Sequence, residues 1–440
     1  MTETRKRLVT APGELPLVER VAGRSGATLG ALAIARKRGV KPLTRPDQPT
    51  PGPRFDGSSP ADELESRLAQ CSPESRSILE RSLEGEELGF EDLVHLLGVE
   101  GPDFLALQAV ADHWRRSIVG DVVTYVVNRN INFTNVCTVG CGFCAFSTGM
   151  AMEDAYFLSV EQVVERAREC WDRGGTEVCI QGGIHPTMDW KYYPQLLEGI
   201  KSELPLMHTH AFSPMEIVWG SKNAGLGFRE YLELLKEAGL DTIPGTAAEI
   251  LDDGVRQVLS PKKESVAEWV EVVKTAHSLG IRSTATIMFG HIETVEQRAR
   301  HLMLIRDIQK ETGGFTEFVP LPFVHQYAPI YIQGKCGPGP TRLDAVRMHA
   351  VSRLAFVGWI DNVQASWVKL GVRGVQECLQ SGCNDFGGTL MEESISRLAG
   401  ASNGQELWVD QIAAAIREIG RIPKQRSTTY GDPPRDPIPA

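Results

Sequence analysis

Cys137-Thr-Val-Gly-Cys141-Gly-Phe-Cys144 places three thiols within eight residues at CxxxCxxC spacing. Three thiolates on one tight loop can each hold one iron of a 4Fe–4S cluster and leave the fourth iron open to a ligand. A closed zinc site needs a fourth protein ligand, and no His follows at finger-like spacing. Gly140 and Gly142 suit a loop that curls with its backbone close to sulfide. The alternatives for this loop are a structural zinc or a plain electron-transfer cluster. Cys170, Cys179, Cys336, Cys378 and Cys383 lack ligand spacing and read as packed thiols, with Cys71 unassigned. Nine cysteines cannot all pair within one chain. With no signal peptide evident, they point to a reducing compartment.

The elements that must carry this loop begin past Gly120. Short β-rich runs occur at 122–127, 177–181, 207–212, 241–244, 283–289, 315–321 and 362–368, with a weaker one at 382–390. Helical stretches such as 159–173, 228–238, 266–279 and 295–309 lie between them. Strand–helix alternation implies parallel strands with right-handed crossovers, and about eight repeats predict an α/β fold of the (β/α)8 TIM-barrel type. A doubly wound open sheet is the alternative. In a barrel, chemistry sits where strands end, and the cysteine loop directly follows the first strand. Residues 121–440 therefore read as the barrel with a C-terminal extension. Residues 61–120 read as a helical lead-in, with an N-cap and Pro at Ser72-Pro73.

Residues 1–60 hold eleven Lys/Arg against five Asp/Glu and a Pro-rich stretch from Pro42 to Pro53. Such a segment buries too little apolar surface to offset its ordering entropy, so it reads as a disordered basic tail. A transit peptide for an organelle is the alternative, although five acidic residues fit it poorly. The chain has 440 residues, 42% hydrophobic, with net charge −10. That balance argues against a nucleic-acid binder, and no apolar run is long enough to span a membrane.

Polar groups fall at the predicted strand ends. His208 and His210 stand two apart on a strand and so share one side. His291, His325 and Asn384 follow later strands as further candidate cavity residues. Gln364, Ser366 and Lys369 follow the seventh run as candidate partners for a polyol chain or a heterocycle; Glu216, Asp385 and Glu392 are candidate amine ligands. His277, His301 and His349 lie on predicted helices and are expected at the surface.

A CxxxCxxC with an aromatic before its third Cys, after the first strand of a βα repeat, resembles the radical S-adenosylmethionine (SAM) superfamily. The resemblance implies a 4Fe–4S cluster on Cys137, Cys141 and Cys144, whose open iron takes the amino and carboxylate groups of SAM. It also implies a place for Phe143 near the adenine and for Gly182-Gly183 near the methionine amino group. Glu249 is expected on the ribose hydroxyls and Arg256 on the SAM carboxylate, where a planar fork fits. From about residue 70 to Pro433, five stretches are closer still: Thr124–Asn135, His210–Glu216, Ile243–Asp253, Gly314–Gln326 and Gly387–Glu393. They resemble the FO synthase subunit 2 (CofH) family, 5-amino-6-(D-ribitylamino)uracil–L-tyrosine 4-hydroxyphenyl transferases of coenzyme F-420 formation. That resemblance implies tyrosine and the ribitylaminouracil as substrates, a reductant protein as electron donor, and a cytoplasmic enzyme. One CxxxCxxC implies one radical centre, so the second radical SAM subunit of FO synthase is expected to be a separate polypeptide. An aminofutalosine-synthase-like enzyme of menaquinone formation is the nearest rival, and an iron–sulfur electron carrier the rival from another class.

Overall fold

The computed structural model describes residues 60–437. Apart from Pro60, the segment expected to be a basic tail or transit peptide lies outside the described residues. Six parallel strands form one sheet in the order β2-β3-β4-β5-β6-β7. Here β1 is Val122–Val126, β2 Asn128–Asn132, β3 Glu177–Gln181, β4 His208–Ala211, β5 Thr242–Ile243, β6 Arg282–Phe289 and β7 Phe315–Pro322. A second parallel sheet has the order β8-β1-β9, with β8 Asp385–Gly388 and β9 Ile422–Gln425. Single bridges, Phe318 to Val363, Gln364 to Asp385 and Arg129 to Met391, carry the curl of the large sheet round to the small one. The result is a parallel α/β barrel of the TIM type.

The crossover helices start where the sequence signals them. Ser159, Ser213, Ser265, Thr294 and Thr341 each accept a bond from the backbone three residues on, and Gln162, Glu216, Glu268, Gln297 and Asp344 return it. These reciprocal caps satisfy amides that a helix end would otherwise leave bare. Behind these caps the helices bury Val163, Ile217, Trp269, Leu302 and Val351.

Three expectations are corrected. The seventh run, expected as a strand over 362–368, makes only isolated bridges at Val363 and Gln364. Asn384 takes over the missing ladder: its Oδ1 accepts from Val363 N at 2.9 Å and Arg353 Nη2 at 2.8 Å, and its Nδ2 donates to Asn362 at 2.9 Å. His301 and His349 are fully buried, not at the surface. They lie on the inner faces of their helices, where His301 bonds Leu251 N and the Thr286 carbonyl and His349 bonds the Ala345 carbonyl. His277 is also turned inward, bonded to Thr312 and Ser283.

Helices Pro60–Gln70, Pro73–Leu83, Phe90–Gly98 and Gly101–Val119 precede the barrel. They are tied to its outer helices by Arg306 on the Leu88 carbonyl and Gln108 on Ser381. At the other end of the chain, β9 pairs along its whole length with β1, Val122 opposite Ile422 and Tyr125 opposite Gln425. That edge of β1 is open because β3 pairs with β2 and β4 and not with β1. The strand feeds Arg426, Thr428 and Tyr430 into the base of the barrel.

Candidate active site

A cavity of about 430 Å³ runs through the barrel, lined at one end by Cys137, Cys141 and Cys144. The cysteine loop stands on β2: Gly183 N donates to Thr134 O at 3.0 Å, and Ile184 N to the Cys137 Sγ at 3.3 Å. Cys144 receives backbone bonds from Phe146 and Ser147, which oppose the rise in its thiol pKa that burial causes. Burial pushes the Cys141 thiol up to about 12. Iron binding must therefore displace protons, and amides aimed at sulfur favour the resulting thiolates. All nine cysteines are free. Among the described residues no three His, Cys, Asp or Glu side chains converge on a single metal ion. A cubane cluster asks for something different, one thiolate on each of three irons, and this loop carries three free thiols. Gly140 takes a left-handed φ of 69° at the turn of that loop.

Gly182 and Gly183 are dictated by packing. A Cβ on Gly183 would stand 2.2 Å from the Val136 carbonyl oxygen, and one on Gly182 would stand 2.4 Å from the Phe133 ring. Both line the cavity beside the thiols. Glu216 locks this loop from the side: its carboxylate accepts from Gly182 N at 3.0 Å and from Ser213 N and Oγ, each at 2.7 Å. Burial pushes its carboxyl up to about 7 against those bonds.

Glu249 lines the same end, on strained backbone with φ 39° next but one to Ala247 at φ 64°. Its Oε1 accepts from Lys263 Nζ at 2.7 Å, while Oε2 is buried without a hydrogen-bond partner. Lys263, which the sequence reading missed, also lies 5.2 Å over the Phe143 ring. Burial alone lowers its ammonium pKa, but Glu249 and the nearby Cys141 outweigh that and hold it above the ordinary value. Arg256 is corrected. It is 3% exposed, and its fork is filled by the carbonyls of Ala247, Ala248 and Glu264 and by the Glu264 carboxylate. No face is left for a ligand carboxylate, so Arg256 shapes the loop that presents Glu249.

The barrel base is a closed polar network. Arg426 donates to Asp385 at 2.5 and 3.1 Å and to Glu317 at 3.3 Å, and Tyr430 also donates to Glu317. Burial pushes Glu317 up to about 7, Arg426 opposing it. Glu177 accepts from Asn128 at 2.8 Å and Thr428 at 2.7 Å. His208 and His210 do share a side: both bond the Thr242 hydroxyl at 2.8 Å. Burial lowers both, His210 to about 4, so both rings are neutral near pH 7 and one donates to the hydroxyl that the other accepts from. Only His210 lines the cavity.

Three other candidates stand outside it. His291 is held between the Met288 carbonyl and Glu293. His325 accepts from Gly339 N at 2.9 Å and pins that loop. Asn384 belongs to the barrel wall. Of the amine candidates, Asp385 is bound by Arg426 and Glu392 by Arg129 at 2.6 Å. Gln364, Ser366 and Lys369 do face the cavity, as does Cys179.

A parallel barrel with CxxxCxxC thiols opening into its own interior defines the radical SAM class, and residues 131–305 match the radical SAM superfamily. Residues 312–436 match the CofH/MqnC C-terminal region. The chain is 50% identical over 356 residues to a 5-amino-6-(D-ribitylamino)uracil–L-tyrosine 4-hydroxyphenyl transferase of Methanothermobacter thermautotrophicus, covering 81% of this chain and 97% of that one. It belongs to that transferase family. It is also 51% identical to an FO synthase of Mycobacterium leprae, over 82% of this chain but only 43% of the longer protein. Among solved structures, methylornithine synthase (TM-score 0.63, 18% identity, 79% of this chain and 97% of that one) shares the fold. So does the hydrogenase maturase HydG (TM-score 0.65, 15% identity, 84% and 80%).

Proposed function

We propose that the chain joins the 4-hydroxybenzyl group of L-tyrosine to 5-amino-6-(D-ribitylamino)uracil on the route to FO and coenzyme F-420. The products are the adduct, 2-iminoacetate, 5′-deoxyadenosine and methionine. The observation that supports this reading is one continuous cavity with three thiols at one end and a polar barrel interior at the other. Its residues fit the implied groups. Cys137, Cys141 and Cys144 would hold the 4Fe–4S cluster. Phe143, Gly182, Gly183 and Glu249, whose Oε2 makes no hydrogen bond and has Arg256 Nη1 at 3.7 Å, would hold SAM. When bound and reduced by one electron, these groups supply a 5′-deoxyadenosyl radical.

The chain's own part is to position and exclude. Lys263 fixes the Glu249 carboxylate at the thiol end. The walls Val319, Leu321 and Leu390 keep water from a radical that would attack almost any C–H bond. Tyrosine splits between Cα and Cβ, and its benzylic carbon bonds to C5 of the uracil. His210, Glu177, Gln364 and Arg426 give the ribityl and uracil groups hydrogen-bond partners at the base.

The electron comes from a reductant protein, and the following radical step from a second radical SAM unit, since these 440 residues hold one CxxxCxxC. No single helix among the described residues is long and apolar enough to cross a membrane. Nine free thiols suit the reducing cytoplasm. The test is anaerobic reconstitution with iron, sulfide, dithionite, SAM and both substrates. Mass spectrometry is expected to find 5′-deoxyadenosine and a hydroxybenzyl–uracil adduct, without fluorescent deazaflavin. Deoxyadenosine without adduct would leave the radical SAM class and remove this acceptor.

A further inference from the structure

Almost every charged group facing the cavity has a partner within the protein. Glu177 is bonded by Asn128 and Thr428, Glu216 by Ser213 and Gly182, and Glu317 by Arg426 and Tyr430. Lys263 is taken by Glu249, and Arg426 by Asp385. Lys369 and Glu393 are different. Both line the cavity, and among the described residues Lys369 makes no ion pair. Glu393 is 5% exposed; its Oε1 accepts from Ser396 N at 2.9 Å, and its Oε2 is buried with no partner. The two are close enough for the Glu393 charge to raise the Lys369 ammonium against the lowering by burial, yet they do not bond. They bracket a gap.

The backbone is bent to make that gap. Leu390 and Glu392 both adopt left-handed conformations, φ 62° and 69°. Glu392 turns away to Arg129, and the next residue, Glu393, turns into the cavity. On the facing segment, the helix that starts at Trp367 breaks at Gly371 (φ 69°, ψ 167°), so Lys369 sits on a short detached turn. Ser366, at the N-cap position, makes no capping bond with its side chain and lines the cavity as well. Strained backbone that places an unpaired cation and an unpaired anion in one enclosed space points to a ligand carrying both charges.

We infer that Lys369 and Glu393 form the head-group subsite for an α-amino acid zwitterion. Lys369 takes the carboxylate and Glu393 the ammonium, with Leu321 and Ile395 beside the side chain; that the amino acid is tyrosine rests on the function proposed above. A ligand with only one of the two charges leaves the other protein charge buried and uncompensated, so the subsite rejects it.

The experiment is equilibrium titration of the cluster-loaded protein, with SAM present, by tyrosine, tyramine and 3-(4-hydroxyphenyl)propanoate. The wild-type protein is expected to bind tyrosine at least tenfold more tightly than either analogue. Lys369→Met is expected to weaken tyrosine at least tenfold and erase its advantage over tyramine; Glu393→Gln does the same against the propanoate. The KM for the aminouracil in adduct formation is expected to stay within twofold. Equal binding of all three ligands by the wild type overturns the inference without any variant being needed. So does unchanged tyrosine binding in both variants, or a rise confined to the aminouracil KM. Tyrosine bound as expected but no adduct formed removes the proposed acceptor and leaves the subsite standing.

Discussion

The two ends of the cavity are built on opposite principles. At the base, Arg426 meets Asp385 through Nε and Nη2 and Glu317 through Nη2, while Thr124, Gln364, Tyr430, Asn128 and Thr428 close the remaining carboxylate positions. At the thiol end, Glu249 Oε2 has no hydrogen-bond partner, the cysteines are unjoined, and Ala247 and Glu249 hold left-handed backbone. A buried charge network that is fully matched fixes a wall. A partly matched one on strained backbone is stable only if something else binds there. On the function proposed above, the base is scaffold with one exposed face and the thiol end is the receptor.

That contrast is broken or sharpened first at the thiols. Replacing Cys137, Cys141 or Cys144 by Ala is expected to abolish 5′-deoxyadenosine formation while the apoprotein keeps its urea midpoint. A variant that keeps full turnover would show that the loop is not the receptor. The opposite behaviour is expected at the base. Arg426→Ala leaves Asp385 and Glu317 buried without their cation, a loss on the order of 3–5 kcal/mol in unfolding free energy. Equilibrium denaturation reads it, and a change below about 1 kcal/mol would remove the base from the structural class.

How much of this was legible in the chain follows from what sets each contact. The cysteine motif is local, so its spacing alone indicates cluster chemistry. The β–α alternation and the caps from Ser159 to Thr341 are local too, and the barrel could be read from them. His208 and His210 share a side because strands alternate, but the Thr242 hydroxyl between them depends on register across two strands. Lys263 and Glu393 each have a neighbour of the same type, Lys262 and Glu392, and only tertiary packing decides which one turns inward. Arg426 meets Glu317 across 109 residues because β9 fills the open edge of β1, a pairing that no short pattern announces. Arg256 was misread for a related reason: its fork faces carbonyls brought close by the loop at Ala247 and Ala248.

Glu216 lies between the two regimes, fully bonded yet raised to about 7 by burial. A carboxyl raised above its ordinary 4.5 favours the fold below that pH, and the advantage is lost as pH rises through 7. At about 1.36 kcal/mol per pH unit, the loss between 4.5 and about 7 comes to about 3–4 kcal/mol. Glu216→Gln is expected to remove that part of the slope between pH 4.5 and 8, read from urea midpoints of the two proteins. Parallel curves would show that the carboxyl titrates normally.

The finest test separates two residues that share one hydroxyl. His210 lines the cavity and His208 does not, although each bonds Thr242 at 2.8 Å. If contact with substrate matters, His210→Asn is expected to lower adduct per deoxyadenosine about tenfold, near 1.4 kcal/mol, with iron content unchanged. His208→Asn is expected to stay within twofold. Equal losses would mean that the pair acts through Thr242 as one unit, and the line between scaffold and receptor would then run below His208 and not between the two rings.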